Sequence, residues 1–324
     1  MKVQKTALLI MLPLLLLASC SQGGAATTPG DYKITDVRIY EGTPAWKLAQ
    51  AVNKQDARKI ASIAEKSPEL LNYQDPKFGA TLLYWAVGME KYEAVEAMLK
   101  AGANPDVIAT AHGGTALYLA AGYSFIDTQA KKDPKYVKLL LEYGADPDIG
   151  YIDPPGRETE WNGIPIYNVN ENGTTPLMRS ISCGIEKTKA LVEWGADINA
   201  QTETAHKTAA IEALSWGGLN MSSEVREYAY YLIVVMKADV TQPYYSRRDD
   251  GYGNEYSNEP FYPVNLLRGW VVKLNTQEYE WKMAIVEEFA RQGVDYWSTE
   301  IPPFTFDQIQ KLYPDTWEEY ILVY

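Results

Sequence analysis

The segment Gly113-Gly114-Thr115-Ala116-Leu117-Tyr118-Leu119-Ala120-Ala121 opens a unit that closes on Val137, Leu140, Leu141 and Gly144-Ala145-Asp146. The same opening stands at Gly79-Ala80-Thr81-Leu82-Leu83-Tyr84-Trp85-Ala86-Val87 and at Gly173-Thr174-Thr175-Pro176-Leu177-Met178, with a weaker form at His206-Lys207-Thr208-Ala209-Ala210. The same closing recurs at Gly102-Ala103-Asn104, Gly195-Ala196-Asp197, Lys237-Ala238-Asp239 and Gly293-Val294-Asp295. Self-similarity at a fixed period marks a repeat architecture before any single motif is weighed.

Apolar residues precede each closing at offsets of three and four: Val95, Met98 and Leu99; Val137, Leu140 and Leu141; Leu191 and Val192; Ile233 and Val234; Val286, Phe289 and Ala290. That spacing puts them on one stripe of a helix. The glycine after the stripe ends the helix, because the residue past a C-terminus usually turns left-handed. Lys237 stands where the other units have glycine, so its helix must end at some strain or by another turn. In front, a threonine hydroxyl caps free N–H groups, and Pro176 after Thr175 suits the first helical position.

A threonine-started helix, a second striped helix and a Gly-Ala-Asp ending together resemble the ankyrin repeat, whose signature is G-x-T-P-L-H-x-A-A followed by V-x-x-L-L-x-x-G-A-D/N. The likeness covers Asn72 to Asp239, with degenerate units on both sides. It implies an all-α, ankyrin-type helical repeat solenoid of about six helix-turn-helix units, two of them degenerate. The family histidine is replaced by Tyr84, Tyr118, Met178 and Ile211, so its usual hydrogen bond is absent. Helices near Trp46–Val52 and Asp56–Ala64 form a first, capping unit. The array is expected over residues 42–305, with a closing segment at 306–324.

Spacing locates the interruptions. Thr81 to Gly102 is 21 residues, the undisturbed value. Thr115 to Gly144 and Thr208 to Lys237 are both 29, which places extra residues between paired helices near Tyr123–Asp133 and Trp216–Glu224. Gly144 to Thr175 is 31, and Lys237 to Pro263 is also too long. These last two insertions share one slot, the finger between repeats. They contain Tyr151, Trp161 and Tyr167 in the first, and Tyr244, Tyr245, Arg247, Arg248, Tyr252 and Tyr256 in the second. Tyr, Trp and Arg are the types enriched at binding hot spots. These nine residues are therefore the expected protein-binding set, on two arms flanking the ordinary finger at 196–205. The opposing expectation is that the aromatics pack down as local cores, which a long loop needs to be ordered.

The N-terminus reads as an address. Lys2 and Lys5 precede an apolar run from Ala7 to Leu17, too short to span a bilayer as a helix. Leu17-Ala18-Ser19-Cys20 resembles a bacterial lipobox. The resemblance implies a signal peptide over 1–19 and an acylated Cys20, followed by a flexible tether within 20–41. Several acyl chains hold a protein on a membrane durably. By resemblance to enterobacterial lipoprotein sorting, Ser21 at the next position, where Asp would imply retention at the inner membrane, implies the outer membrane, with the protein facing the periplasm.

Composition narrows the chemistry. The net charge of −12 opposes a phosphate backbone, so no nucleic acid is expected, and a partner with a basic patch would be drawn in faster. Two histidines and two cysteines in 324 residues exclude a Cys/His metal cluster and a disulfide framework. No G-x-S-x-G elbow, P-loop, H-E-x-x-H or C-x-x-C occurs. His112 and His206 read as turn residues, and Cys183 as a buried small apolar side chain. The expectation is a monomeric, non-enzymatic, cofactor-free envelope lipoprotein that binds another protein. It would serve as a scaffold or adaptor, or as an immunity-type inhibitor of a toxic effector; a hydrolase has no supporting motif.

Overall fold

The computed structural model describes residues 31–127, 132–155, 160–161, 164–165, 171–217, 223–246 and 257–324. Cys20 and the lipobox lie outside these residues. The chain divides into Met1–Tyr32 and Lys33–Tyr324, and the second unit holds the fold.

Among the described residues twelve helices arrange as pairs: α1 (Trp46–Asn53) with α2 (Ala57–Lys66), α3 (Leu82–Gly88) with α4 (Tyr92–Lys100), α5 (Ala116–Ala121) with α6 (Lys135–Glu142), α7 (Pro176–Ser180) with α8 (Ile185–Glu193), α9 (Ala209–Gly217) with α10 (Ser223–Ala229), then α11 (Pro263–Arg268) and α12 (Gln277–Arg291). The odd helices pack on one another in an inner row and the even ones in an outer row. Two more helices, α13 (Pro303–Leu312) and α14 (Trp317–Val323), close the array. Strand pairing among the described residues is confined to a two-residue ladder, β1 (Glu160–Trp161) with β2 (Ile164–Pro165), and three isolated bridges.

The sequence rules for starting and ending a helix operate throughout. The hydroxyls of Thr81, Thr115, Thr175 and Thr208 accept the N–H groups of Tyr84, Tyr118, Met178 and Ile211 at 3.2, 3.1, 3.3 and 3.3 Å. Gly102, Gly144, Gly195 and Gly293 have φ of 96°, 84°, 91° and 85°. After each, an alanine or valine N–H returns to a carbonyl five residues back, as with Ala145 to Leu140 at 3.0 Å. Val95, Met98, Val137, Leu140, Leu191 and Phe289 are fully buried, so the stripe is the core that stacking creates.

Lys237 does adopt the left-handed conformation, with φ 62°. One feature differs from the expected offset. The stretch Tyr230–Val235 is a π-helical turn, and the Ala238 N–H reaches back six residues to Leu232 rather than five. One extra residue is wound into the last turn. Leu232 and Ile233 are fully buried there, while Val234 is only half-buried.

A ladder of side chains links the turns. The carboxamide or carboxylate oxygens of Asn72, Asp106, Asp148 and Asn199 accept the backbone N–H of Asn104, Asp146, Asp197 and Asp239 at 2.8, 2.9, 2.8 and 2.9 Å. Each acceptor sits on one repeat and each donor on the next.

The N-terminal end differs from the sequence reading. Residues 37–41 were expected in the tether. Instead Val37–Tyr40 is a 3-10 helix, and Tyr40 is fully buried with its hydroxyl donating to the Ala80 carbonyl at 2.8 Å. At the other end Ile309, Tyr320 and Tyr324 form a small core on Val271 and Leu274. Burial holds the Lys282 amine well below the usual lysine range, helped by Arg268 and Arg226; it donates to the Trp270 carbonyl at 2.8 Å and lies 3.5 Å from the Tyr324 ring centre.

Candidate functional site: a groove between finger bases and inner helices

The long fingers are built at their bases as hairpins. In the first, the Tyr151 N–H donates to Thr174 and the Gly173 N–H to Tyr151, at 2.8 and 2.9 Å. In the second, Tyr244 and Phe261 exchange backbone hydrogen bonds at 2.8 and 2.9 Å, and the Ser257 N–H donates to Ser246 at 2.8 Å. Neighbouring fingers are also joined: Ile152 N–H to Gly113, Glu203 N–H to Asn172, and Tyr245 N–H to Ala205.

Of the nine residues expected to bind, Tyr151 and Tyr244 are buried, at 2 % and 6 % exposure. Tyr151 packs on Tyr118 with ring centres 5.8 Å apart, and its hydroxyl donates to Asp153 at 3.0 Å. Burial pushes the Tyr244 hydroxyl up to about 12. The two tyrosines are hydrophobic anchors of their finger bases, not exposed contacts; a hairpin root needs an apolar foot to stay ordered. Tyr245 is half-buried and packs edge-on against His206 at 5.7 Å. Trp161 lies on β1, paired with Ile164. Tyr167, Arg247, Arg248, Tyr252 and Tyr256 lie outside the described residues.

Between these bases and the inner helices runs a groove of about 630 Å³. The finger bases line it with Glu171, Thr174, Thr202, Lys207, Tyr244 and Ser246; the inner helices and the turns after them line it with Tyr123, Met178, Arg179, Ser182, Cys183, Glu212, Ser215, Trp216 and Leu266. That size suits a short peptide segment or a few side chains. Tyr123 and Trp216 are the exposed aromatics in the wall, at 39 % and 37 %. The sequence reading passed over both as binding residues. They begin the two helix-to-helix insertions, which spacing located but which drew less weight than the fingers.

The groove's charges are mostly spent internally. Glu171 accepts the backbone N–H groups of Thr204 and Ala205, at 2.6 Å for Thr204. Lys207 pairs with Glu212 at 3.2 Å. Burial raises the Cys183 thiol above its usual range, although Arg179 and Lys187 work against it, so little thiolate forms. No group of three His, Cys, Asp or Glu side chains suited to a metal exists among the described residues. Nor is any described helix long and apolar enough to cross a membrane. The arrangement offers shape, aromatic area and hydrogen bonds.

Two comparisons follow from known proteins. Residues 48–151 match the family model for ankyrin repeats, with three copies. Over 143 residues, 44 % of this chain, the sequence is 30 % identical to Protein PhlB of Serratia liquefaciens, of which the match covers 53 %. The chain thus spans about half the length of that curated relative. Residues 48–151 thus carry ankyrin repeats, and the stacked helix pairs form an all-α ankyrin-type helical solenoid.

Proposed function

We propose that the chain is a lipid-anchored protein of the bacterial cell envelope whose groove holds another protein, as a scaffold or adaptor. The groove supports this reading most directly: it is open, built from stacked helices and hydrogen-bonded hairpin roots, and lined by the exposed Tyr123 and Trp216. Pre-organised surfaces lose less entropy on association than loose ones. Trp161, Tyr167, Arg247, Arg248, Tyr252 and Tyr256 of the two insertions are proposed as further contacts on their residue types alone. The net charge of −12 favours a partner with a basic patch, by speeding encounter. The lipobox-like Leu17-Ala18-Ser19-Cys20 supplies the anchor, on the outer membrane facing the periplasm.

Trp216→Ala tests the groove. Capture from cross-linked envelopes by the full chain should fall about 30-fold, the loss typical of a tryptophan hot spot. Undiminished capture would remove the groove from the function. The identity of the captured protein distinguishes the two roles: a resident envelope assembly fits a scaffold, and a secreted toxic enzyme fits an inhibitor.

A further inference from the structure

The groove holds two cations, Arg179 and Lys207, and two carboxylates, Glu171 and Glu212. Three of the four are committed. Glu171 is taken by backbone N–H groups, and Lys207 and Glu212 by each other. Arg179 has no carboxylate and no hydrogen-bond acceptor among the described residues. Its guanidinium instead lies over two rings, 5.8 Å from the centre of Tyr118 and 5.7 Å from that of Tyr123. Stacking of this kind favours the cation's position without using its five N–H donors. The nearby Lys187 amine is already directed to the Gly122 carbonyl at 2.9 Å.

The position of Arg179 is also provided for by the backbone. A Cβ at Gly122 would lie 2.5 Å from its Nε, so only glycine lets the guanidinium sit this close to the end of α5. The result is a half-buried, pre-placed planar fork facing a groove. Such a fork matches a carboxylate through two parallel hydrogen bonds.

We propose that Arg179 is the anchor of the groove and takes an Asp or Glu side chain of the partner protein, flanked by Tyr123. This rests on the groove being the partner's seat. It also qualifies the attraction to a basic partner: the long-range field of the molecule is negative, while the contact inside the groove calls for one acid.

A phage-displayed library of random dodecapeptides, selected on the full chain, tests the inference. Groove binders are those that weaken on Trp216→Ala. They should share an Asp or Glu at a fixed position and bind Arg179→Gln about 10- to 100-fold more weakly. Changing that acid to its amide should cost the same factor, with no further loss when both changes are combined. Arg179→Lys keeps the charge without the fork and should also bind more weakly. Gly122→Ala, which displaces the guanidinium, should weaken binding with circular dichroism unchanged. Groove binders without a fixed acid, or equal affinity for Arg179→Gln, would overturn the anchor and leave the groove reading standing. A selection with no binder dependent on Trp216 would instead overturn the groove reading, and the anchor with it.

Discussion

Lys237 shows how one residue can break a repeat rule and be compensated nearby. A non-glycine residue in the left-handed region costs about 1–2 kcal/mol. Its ammonium reaches across to α12 and donates to Glu288 at 2.8 Å. Glu288 is buried, at 3 % side-chain exposure, and also accepts from Arg291 Nε at 2.8 Å and from Gln292 at 2.9 Å. These bonds, Arg291 first, hold the Glu288 carboxyl at about 2, below its ordinary 4.5. A depressed carboxyl stabilises the fold above its unfolded pKa. That contribution is lost as pH falls from about 4.5 toward about 2. Glu288→Gln should therefore lower stability by about 1–2 kcal/mol at pH 7, the lower part of the range for charged hydrogen bonds because Lys237 and Arg291 are half-exposed. Urea midpoints of variant and wild type should converge by pH 2; a constant gap across pH would contradict the assignment.

At the scale of elements, helices were more legible than loops. Thr81, Thr115, Thr175 and Gly102, Gly144, Gly195 mark boundaries through backbone chemistry that is local in sequence, and the structure places helix ends at each. The extra residue at Tyr230–Val235 was hidden because a π-helical turn leaves the apolar stripe intact and only slides it by one. Tyr151 and Tyr244 were harder still, since exposure of a finger tyrosine depends on which side of the hairpin root faces the repeats. Arg179 was invisible as a site because its meaning lies in what Glu171, Lys207 and Glu212 do elsewhere. The buried foot of the first finger gives a direct check. Tyr151→Ala should lower stability by about 3–5 kcal/mol, while Tyr151→Phe should cost only about 1 kcal/mol for the hydroxyl bond to Asp153. Equal, small effects in urea denaturation would mean that the ring is not part of the core.

For the whole unit, the finger roots determine where the array can be cut without unfolding it. Tyr244, Tyr245 and Phe261 are tied to the repeats, so a deletion that includes them would confuse folding with binding. Ser246 and Ser257 are joined by a 2.8 Å hydrogen bond. Residues 247–256 can therefore be replaced by a two-residue Asn-Gly turn. This excision should leave the urea midpoint unchanged and reduce capture of the partner at least tenfold. Full retention of capture would assign residues 247–256 to something other than recognition.

The side-chain ladder of Asn72, Asp106, Asp148 and Asn199 has a consequence for how disturbance spreads. Each rung is shared property: the oxygen is held by one unit, and the hydrogen it protects belongs to the following one. When a unit frays, its neighbour loses the shield over a single amide before any of its own helices open. Loosening at one end would thus travel along the array as a sequence of newly exchangeable protons, one per step.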